Sequence, residues 1–556
     1  MSDTGLTKDR LSLAGQPLSR RRALTRVSAL AAMSPLAAGL GAAPLLAQEA
    51  SPAAGDAAGD GLSAGVTPER VAAAVEQIPD LAANILEQSG VPGLAVAVVY
   101  DDEVVYSGAF GVKDVETDEP IDVETVFLLA SVSKPLAATV VSAVVGDGEI
   151  TWNTKMADLD PGFALHDAWP TQNVTLADLF AHRSGLKDHA GDVLEDLGFG
   201  RAEIIHRLRY LEPQYSFRDG YAYGNFGLTA AADAVARSLG TTWEDLSEER
   251  LYAPLDMSKT SSRFADFMAQ PNRAMPHVRD GETWVLAPMQ RDPDAQSPAG
   301  GASSTVLDVA QWLRLQLGQG MHDGQEVIPA DAIAPMHRPQ AFSRIPGNPA
   351  VDRAGFYGLG LNVSFIDDGA IQWGHSGAFS LGAATSVFML PGSGFGIVAL
   401  SNSVGPGAPE ALCLSVLDLV NKGEIANDWV AVIEGVVAAG ADEERYSEVA
   451  DWTTPPTDTV PALPDEAYVG MYHDDFYGDI EIAAGSDGLV LRIGPAPLDF
   501  PLTHYARDTF SWQPIGENAL GPSGLSFLIG PEGAATAFHD EYLAKHGPGF
   551  IQRDIA

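Results

Sequence analysis

The stretch that decides the fold is Phe127–Val141, FLLASVSKPLAATVV. Its apolar residues belong in a core, yet it carries Ser131 and, three residues on, Lys134. Lysine is rarely buried without a partner, so an ammonium in such a run asks for a chemical reason. Pro135 has no N–H and is tolerated in a helix only near the first turn. The pattern therefore predicts a helix that starts around Ala130–Ser133, and Gly146-Asp147-Gly148 supplies its stop. Ser131 then lies at the positive end of the helix, and Lys134, at i+3, shares its face. A partly desolvated lysine there is pushed towards the neutral amine. Such an amine can take the hydroxyl proton and make Ser131 a nucleophile for acyl transfer. Taken alone, the pair also reads as a helix cap with a snorkelling lysine, so the context has to decide.

Two further groups supply that context. FRDGYAYGNFGL places Tyr223 and Asn225 just before the helical run LTAAADAVARSL. Two apart in an extended segment, they point the same way. Tyr223 is placed to pass a proton between Ser131 and a leaving group, and Asn225 to hold a substrate amide or Lys134. QWGHSGAFSLGAATSVF places His375, Ser376, Gly377 and Ala378 at the start of a predicted strand. As an edge strand it would pair with an extended substrate, and Gly377 would let the backbones come close. The amides of Ser131 and Ala378 are the expected oxyanion hole.

The three groups resemble the S-x-x-K, Y-x-N and K/H-x-G elements of the serine β-lactamase and D-Ala-D-Ala-peptidase superfamily, in its class C β-lactamase-like branch. Their order is the same. VPGLAVAVVYDDEVVYSGAFG resembles the opening hairpin of that family, and VTLADLFAHRSGL, with His182, Ser184 and Gly185, resembles its L-L-x-H-x-S-G-L segment. SPAGGASSTVLDVAQWL resembles its Gly-Gly segment and following helix. The resemblance implies Ser131, Lys134 and Tyr223 as catalytic residues, and Asn225 with His375–Ala378 as substrate-binding ones. It implies a serine hydrolase acting on small esters, D-amino-acid peptides or amides. The alternatives are a β-lactamase or D-Ala-D-Ala carboxypeptidase, and a penicillin-recognising protein without turnover. Position 375 is His where the best-known β-lactamases have Lys. If His375 anchors a carboxylate, its protonation near pH 6.5 should strengthen the binding of anionic substrates.

The chain of 556 residues is 46% hydrophobic, enough for one large core and a second domain. Strand patterns at both ends of a helical middle predict an α+β fold, an antiparallel sheet flanked by helices with a helical subdomain, over 67–440. A Pro/Thr-rich linker over 441–465 follows. Short strands from 466 to 556 predict a small all-β domain that resembles a lipocalin-like barrel. That barrel either binds an apolar ligand or peptidoglycan, or packs on the hydrolase and shapes its cleft. At the other end, Ser19-Arg20-Arg21-Arg22 precedes an uncharged Ala/Gly-rich stretch ending at Ala47. This reads as a twin-arginine-type signal over 1–47, removed on export to the periplasm or beyond, with a linker over 48–66.

Lys+Arg number 33 against 74 Asp+Glu, a formal net charge of −41. Nucleic acid and anionic membrane surfaces are repelled by such a chain, so neither is an expected partner. The single cysteine, Cys413, forms no intrachain disulfide and falls in an apolar helical pattern. No histidine spacing fits a metal site, and no cofactor is expected. GLSAG, residues 61–65, matches G-x-S-x-G in letters only, since Ser63 has linker on both sides instead of a strand and a helix.

Overall fold

A computed structural model describes residues 65–348, 353–366, 369–405, 407–443 and 451–554. The signal, most of the 48–66 linker, Ser63 and part of the 441–465 linker lie outside them.

The first element, α1 (Pro68–Ser89), is capped by Thr67 and ends at Gly90 in the left-handed region. It leads into β1 (Gly93–Tyr100), whose residues are nearly all buried, and β2 (Glu103–Asp114), paired through the Asp101-Asp102 turn. A short β3 (Glu119–Pro120) completes that edge. The serine–lysine stretch follows. A single 3-10 turn, Ala130–Val132, runs into α2 (Ser133–Gly146). Pro135 thus sits in the first turn, where its missing N–H costs nothing.

The helical middle contains α3 (Asp192–Asp196), α4 (Phe226–Ser238) and α5 (Val306–Leu317). The chain then returns to the sheet through β4 (Ala341–Arg344), β5 (Gly355–Tyr357), β6 (Asn362–Phe365), β7 (Ile371–Phe379), β8 (Ala383–Leu390) and β9 (Phe395–Ser401). Together they form one antiparallel sheet in the order β4-β5-β6-β7-β8-β9-β1-β2-β3. The two ends of the chain segment meet where β9 pairs with β1. The closing helix α6 (Ala408–Lys422) packs with α1 on one face of this sheet, while α2, α4 and α5 build the larger core on the other. Burial on both faces explains why β1 and β9 read as near-continuous apolar runs without alternation.

The C-terminal unit is a second nine-stranded antiparallel sheet, nearly closed into a barrel. Its strands are β10 (Gly470–Asp474), β11 (Gly478–Ala484), β12 (Leu489–Ile493), β13 (Leu498–Pro501), β14 (Thr503–Ala506), β15 (Thr509–Trp512), β16 (Ser523–Ile529), β17 (Ala535–Asp540) and β18 (Phe550–Arg553). Buried aromatic side chains fill its interior, among them Tyr468, Tyr472, Phe510, Phe527 and Phe538. The same apolar cluster takes in Val193, Leu194 and Leu197 on and beside α3, so the barrel is seated on the helical middle. Among the described residues, no helix is long and apolar enough to cross a membrane.

Candidate active site

Ser131 stands in the 3-10 turn that precedes α2. The residue before it, Ala130, is buried and has φ +47°, a conformation that non-glycine residues seldom adopt. That bend turns the Ser131 hydroxyl towards Lys134 Nζ.

Lys134 is fully buried, and its Nζ has three oxygen neighbours. Ser131 Oγ lies at 3.0 Å, Asn225 Oδ1 at 2.6 Å and the carbonyl of Ala299 at 3.0 Å. Ala299 comes from the SPAGG segment, which the chain turns back against α2. Burial lowers the lysine to about 7; the Asp192 carboxylate opposes the shift and Arg291 adds to it. A neutral amine has two N–H donors and one lone pair. The two carbonyl oxygens, which can only accept, take both hydrogens. The lone pair is then left for the hydroxyl of Ser131.

Tyr223 is buried with its ring 4.7 Å from Lys134 Nζ. Burial pushes its phenol well above the ordinary value, against a lowering interaction with the Ser131 hydroxyl. The phenol therefore keeps its proton at any ordinary pH. Asn225 grips the lysine through its oxygen and donates Nδ2–H to Asp192 Oδ2 at 2.8 Å. His189 Nδ1 meets the same carboxylate oxygen at 2.8 Å. Of the two expected tasks for Asn225, the structure thus shows the hold on Lys134.

His375, Gly377 and Ala378 lie on β7, and two expectations need correction there. First, β7 is not an edge strand along its whole length, nor is His375 at its start. β6 pairs with it from Ile371 to Gly374 and then stops, so only His375–Phe379 is open on that side. Second, His375 does not titrate near pH 6.5. Burial, helped by Lys134, pushes it down to about 3. Its Nε2 lies 3.0 Å from the Tyr357 hydroxyl and its Nδ1 2.6 Å from the Ser376 carbonyl. That carbonyl can only accept, so Nδ1 carries the hydrogen and Nε2 accepts from Tyr357. The imidazole is neutral and fully engaged.

Gly377 brings β7 against the serine. A Cβ there would lie 2.5 Å from the Leu129 carbonyl and 2.7 Å from Ser131 N. Any larger residue would push the strand off Ser131. Ser376 faces the other way, as strand alternation requires. Its hydroxyl lies 3.3 Å from that of Ser386, on the side of α6, so any contact with substrate comes from its backbone. Cys413 is buried on that side too, its thiol held far above the ordinary value by burial. His182, itself at φ +54°, packs its ring against Tyr223 and Tyr357 and braces the site wall. Among the described residues, no cluster of His, Cys, Asp and Glu is arranged to hold a metal ion.

Sequence reasoning missed Asp192, Tyr357 and Ala299. Asp192 follows Gly191 and opens a short helix, so in the sequence it looks like any first-turn acid. Ala299 acts through its carbonyl, which no side-chain pattern reports. Only the G-F-Y-G-L-G spacing around Tyr357 hinted at close backbone packing.

Comparison with known proteins places the chain by family and fold. The beta-lactamase family model matches residues 72–422, and a domain of unknown function, DUF3471, matches 454–550. An unguisins hydrolase from Aspergillus campestris is 24% identical over 490 residues, covering 82% of this chain and 88% of that protein. Penicillin-binding protein 4 from Amycolatopsis lactamdurans is 29% identical over 325 residues, 56% of this chain and 81% of that one. A D-aminopeptidase from Brucella anthropi is 33% identical over 175 residues, about a third of each chain. Among solved structures, an octameric penicillin-binding protein homologue from Pyrococcus abyssi superposes with TM-score 0.54 at 18% identity, covering 86% of this chain and all of that one.

Proposed function

The chain belongs to the beta-lactamase family of serine hydrolases, and from that premise we propose that it forms an acyl-enzyme on Ser131 and acts on small esters or on D-amino-acid peptides and amides. One observation carries the reading, the partner set of Lys134. Two carbonyl oxygens occupy both hydrogens of the neutral amine, and its lone pair is left for the Ser131 hydroxyl. Lys134 takes the hydroxyl proton as Ser131 Oγ attacks the substrate carbonyl carbon. The Ser131 and Ala378 amides receive the developing oxyanion, since Gly377 brings their two backbones together. Tyr223, protonated and next to both groups, gives its proton to the leaving alcohol or amine and takes back the one that Lys134 holds, so that Lys134 is neutral again. Water then attacks the acyl-enzyme, with Lys134 again as base, and releases the acid.

The choice of esters and amides over lactams rests on His375. A penicillin-type substrate presents a carboxylate that must lose water on binding. A neutral imidazole with both nitrogens engaged offers it no charge. The D-aminopeptidase relative supports the D-amino-acid side of the proposal. The arginine run Arg20–Arg22 supports export through a twin-arginine route, with residues 1–47 removed. Changing all three arginines to lysine should strand the precursor inside the cell, and normal export of that variant would count against the route.

The test is fluorophosphonate labelling followed by intact-mass and peptide mapping. One adduct on Ser131, absent in Ser131→Ala, is expected. Steady-state kinetics should then show a higher kcat/KM for p-nitrophenyl butyrate than for nitrocefin. The reverse order would favour the β-lactamase alternative.

A further inference from the structure

The barrel reaches the active-site strand through one loop, and the contact falls where a substrate would have to continue. β7 is open from His375 to Phe379. The next backbone donors along the chain are the amides of Ser380 and Leu381. Both already point at a carboxylate of the C-terminal domain. Ser380 N donates to Glu517 Oε1 at 2.6 Å and Leu381 N to Glu517 Oε2 at 3.3 Å. The Ser380 hydroxyl donates to the Glu517 carbonyl at 2.9 Å. Two successive amides around one carboxylate make a small anion nest, and the protein fills it itself.

The loop that carries Glu517 is fixed on its other side. The amides of Glu517 and Asn518 donate to the two oxygens of Asp196, each at 2.9 Å. A Cβ on Gly516 would collide with Asp196, so glycine is needed for the approach. Arg291 lies 3.4 Å from Glu517 Oε1 and stacks over the Phe379 ring at 4.2 Å. Glu517 is therefore not a surface side chain that swings aside. It is mostly shielded from solvent, hydrogen-bonded to two amides and backed by an arginine.

We infer that Glu517 sets the length of substrate that the enzyme accepts, by closing the open edge of β7 two residues beyond Ala378. This rests on the proposed placement of substrate along His375–Ala378. A substrate lying on that edge can pair with the strand as far as Phe379. One that continues further meets the carboxylate and the loop behind it. The site then takes short groups on that side, and the barrel acts as a stop for the substrate without binding it in its interior. Glu517 is a specificity-determining residue, with no part in the bond-breaking step.

The experiment uses the full chain and two series of p-nitrophenyl-type neutral esters. One series lengthens the acyl group and the other the leaving alcohol, each from two to ten heavy atoms. In Glu517→Ala, and in Glu517→Ser should alanine fold poorly, kcat/KM for the long members of one series should rise at least tenfold. The shortest members should stay within twofold. Glu517→Gln, which keeps the side chain's length, should retain the wild-type profile. A uniform loss across all lengths, or no length-dependent change in either series, would overturn the inference. Ser131 labelling of the wild type runs alongside. Its presence with no length effect contradicts the stop alone, whereas its absence contradicts the functional reading and the stop with it.

Discussion

Two buried charged clusters lie at opposite ends of the five-residue helix α3, and they do opposite things with their charge. At one end Asp192 stands behind Asn225, which holds Lys134. At the other, Glu195 and Asp196 join Glu517 around Arg291. Lys134 meets only neutral oxygens, so burial brings its proton within reach of neutral pH. Arg291 meets three carboxylates, and its own proton is held beyond any physiological loss. In that cluster it is a carboxyl that moves: burial pushes Glu195 up to about 7. A cation among neutral acceptors is poised to exchange a proton, while a cation among carboxylates is poised to hold elements together.

Breaking each cluster should therefore give a different failure. Lys134→Met should lower kcat/KM for a neutral ester by about 10⁴-fold, the upper range for loss of a general base, with little change in circular dichroism. Ser131→Ala should do at least as much. Arg291→Met should instead act on stability. It strands buried carboxylates, a change that typically costs about 3–5 kcal/mol. Denaturant unfolding should register that loss, while the folded fraction keeps turnover of short esters within about threefold of wild type.

A milder test uses pH, and the two clusters pull in opposite directions over the same range. In the proposed mechanism the reactive form of Lys134 is the neutral one, so activity should rise as pH climbs towards about 7. Glu195 has its folded pKa raised from 4.5 to about 7. The folded state then binds more protons than the unfolded state between those values, so this group's contribution to stability is lost as pH rises through them. The melting temperature of wild type relative to Glu195→Gln should fall between pH 4.5 and 7. A flat difference would show that the cluster holds its charge without strain. The smallest effect is expected from Tyr357→Phe. It leaves His375 Nε2 without its donor and should cost about 1 kcal/mol of stability.

How much of this the sequence revealed follows the same division. Ser131, Lys134, Tyr223 and Asn225 were legible because helix and strand periods place side chains near one another at short spacing. The α+β order and the barrel strands were legible from hydrophobic runs and turn residues. The environment of His375 was not. Its titration depends on Tyr357, on Lys134 and on the depth of β7 in the sheet, all set by packing between distant segments. The second cluster was invisible for the same reason. Glu195, Arg291 and Glu517 are far apart in the chain and look like ordinary surface charges in an acidic sequence. The limited opening of β7 likewise depends on where β6 stops.

In the proposed mechanism Ser131 is activated by a lysine that is neutral near physiological pH. The most direct measurement is the rate of fluorophosphonate labelling as a function of pH, with the adduct mapped by mass spectrometry, because it reports activation of the nucleophile without deacylation. Label is expected on Ser131, at a rate that rises about tenfold per pH unit below 7 and levels off above it. Label on another residue, or a rate unchanged between pH 5 and 9, would contradict it.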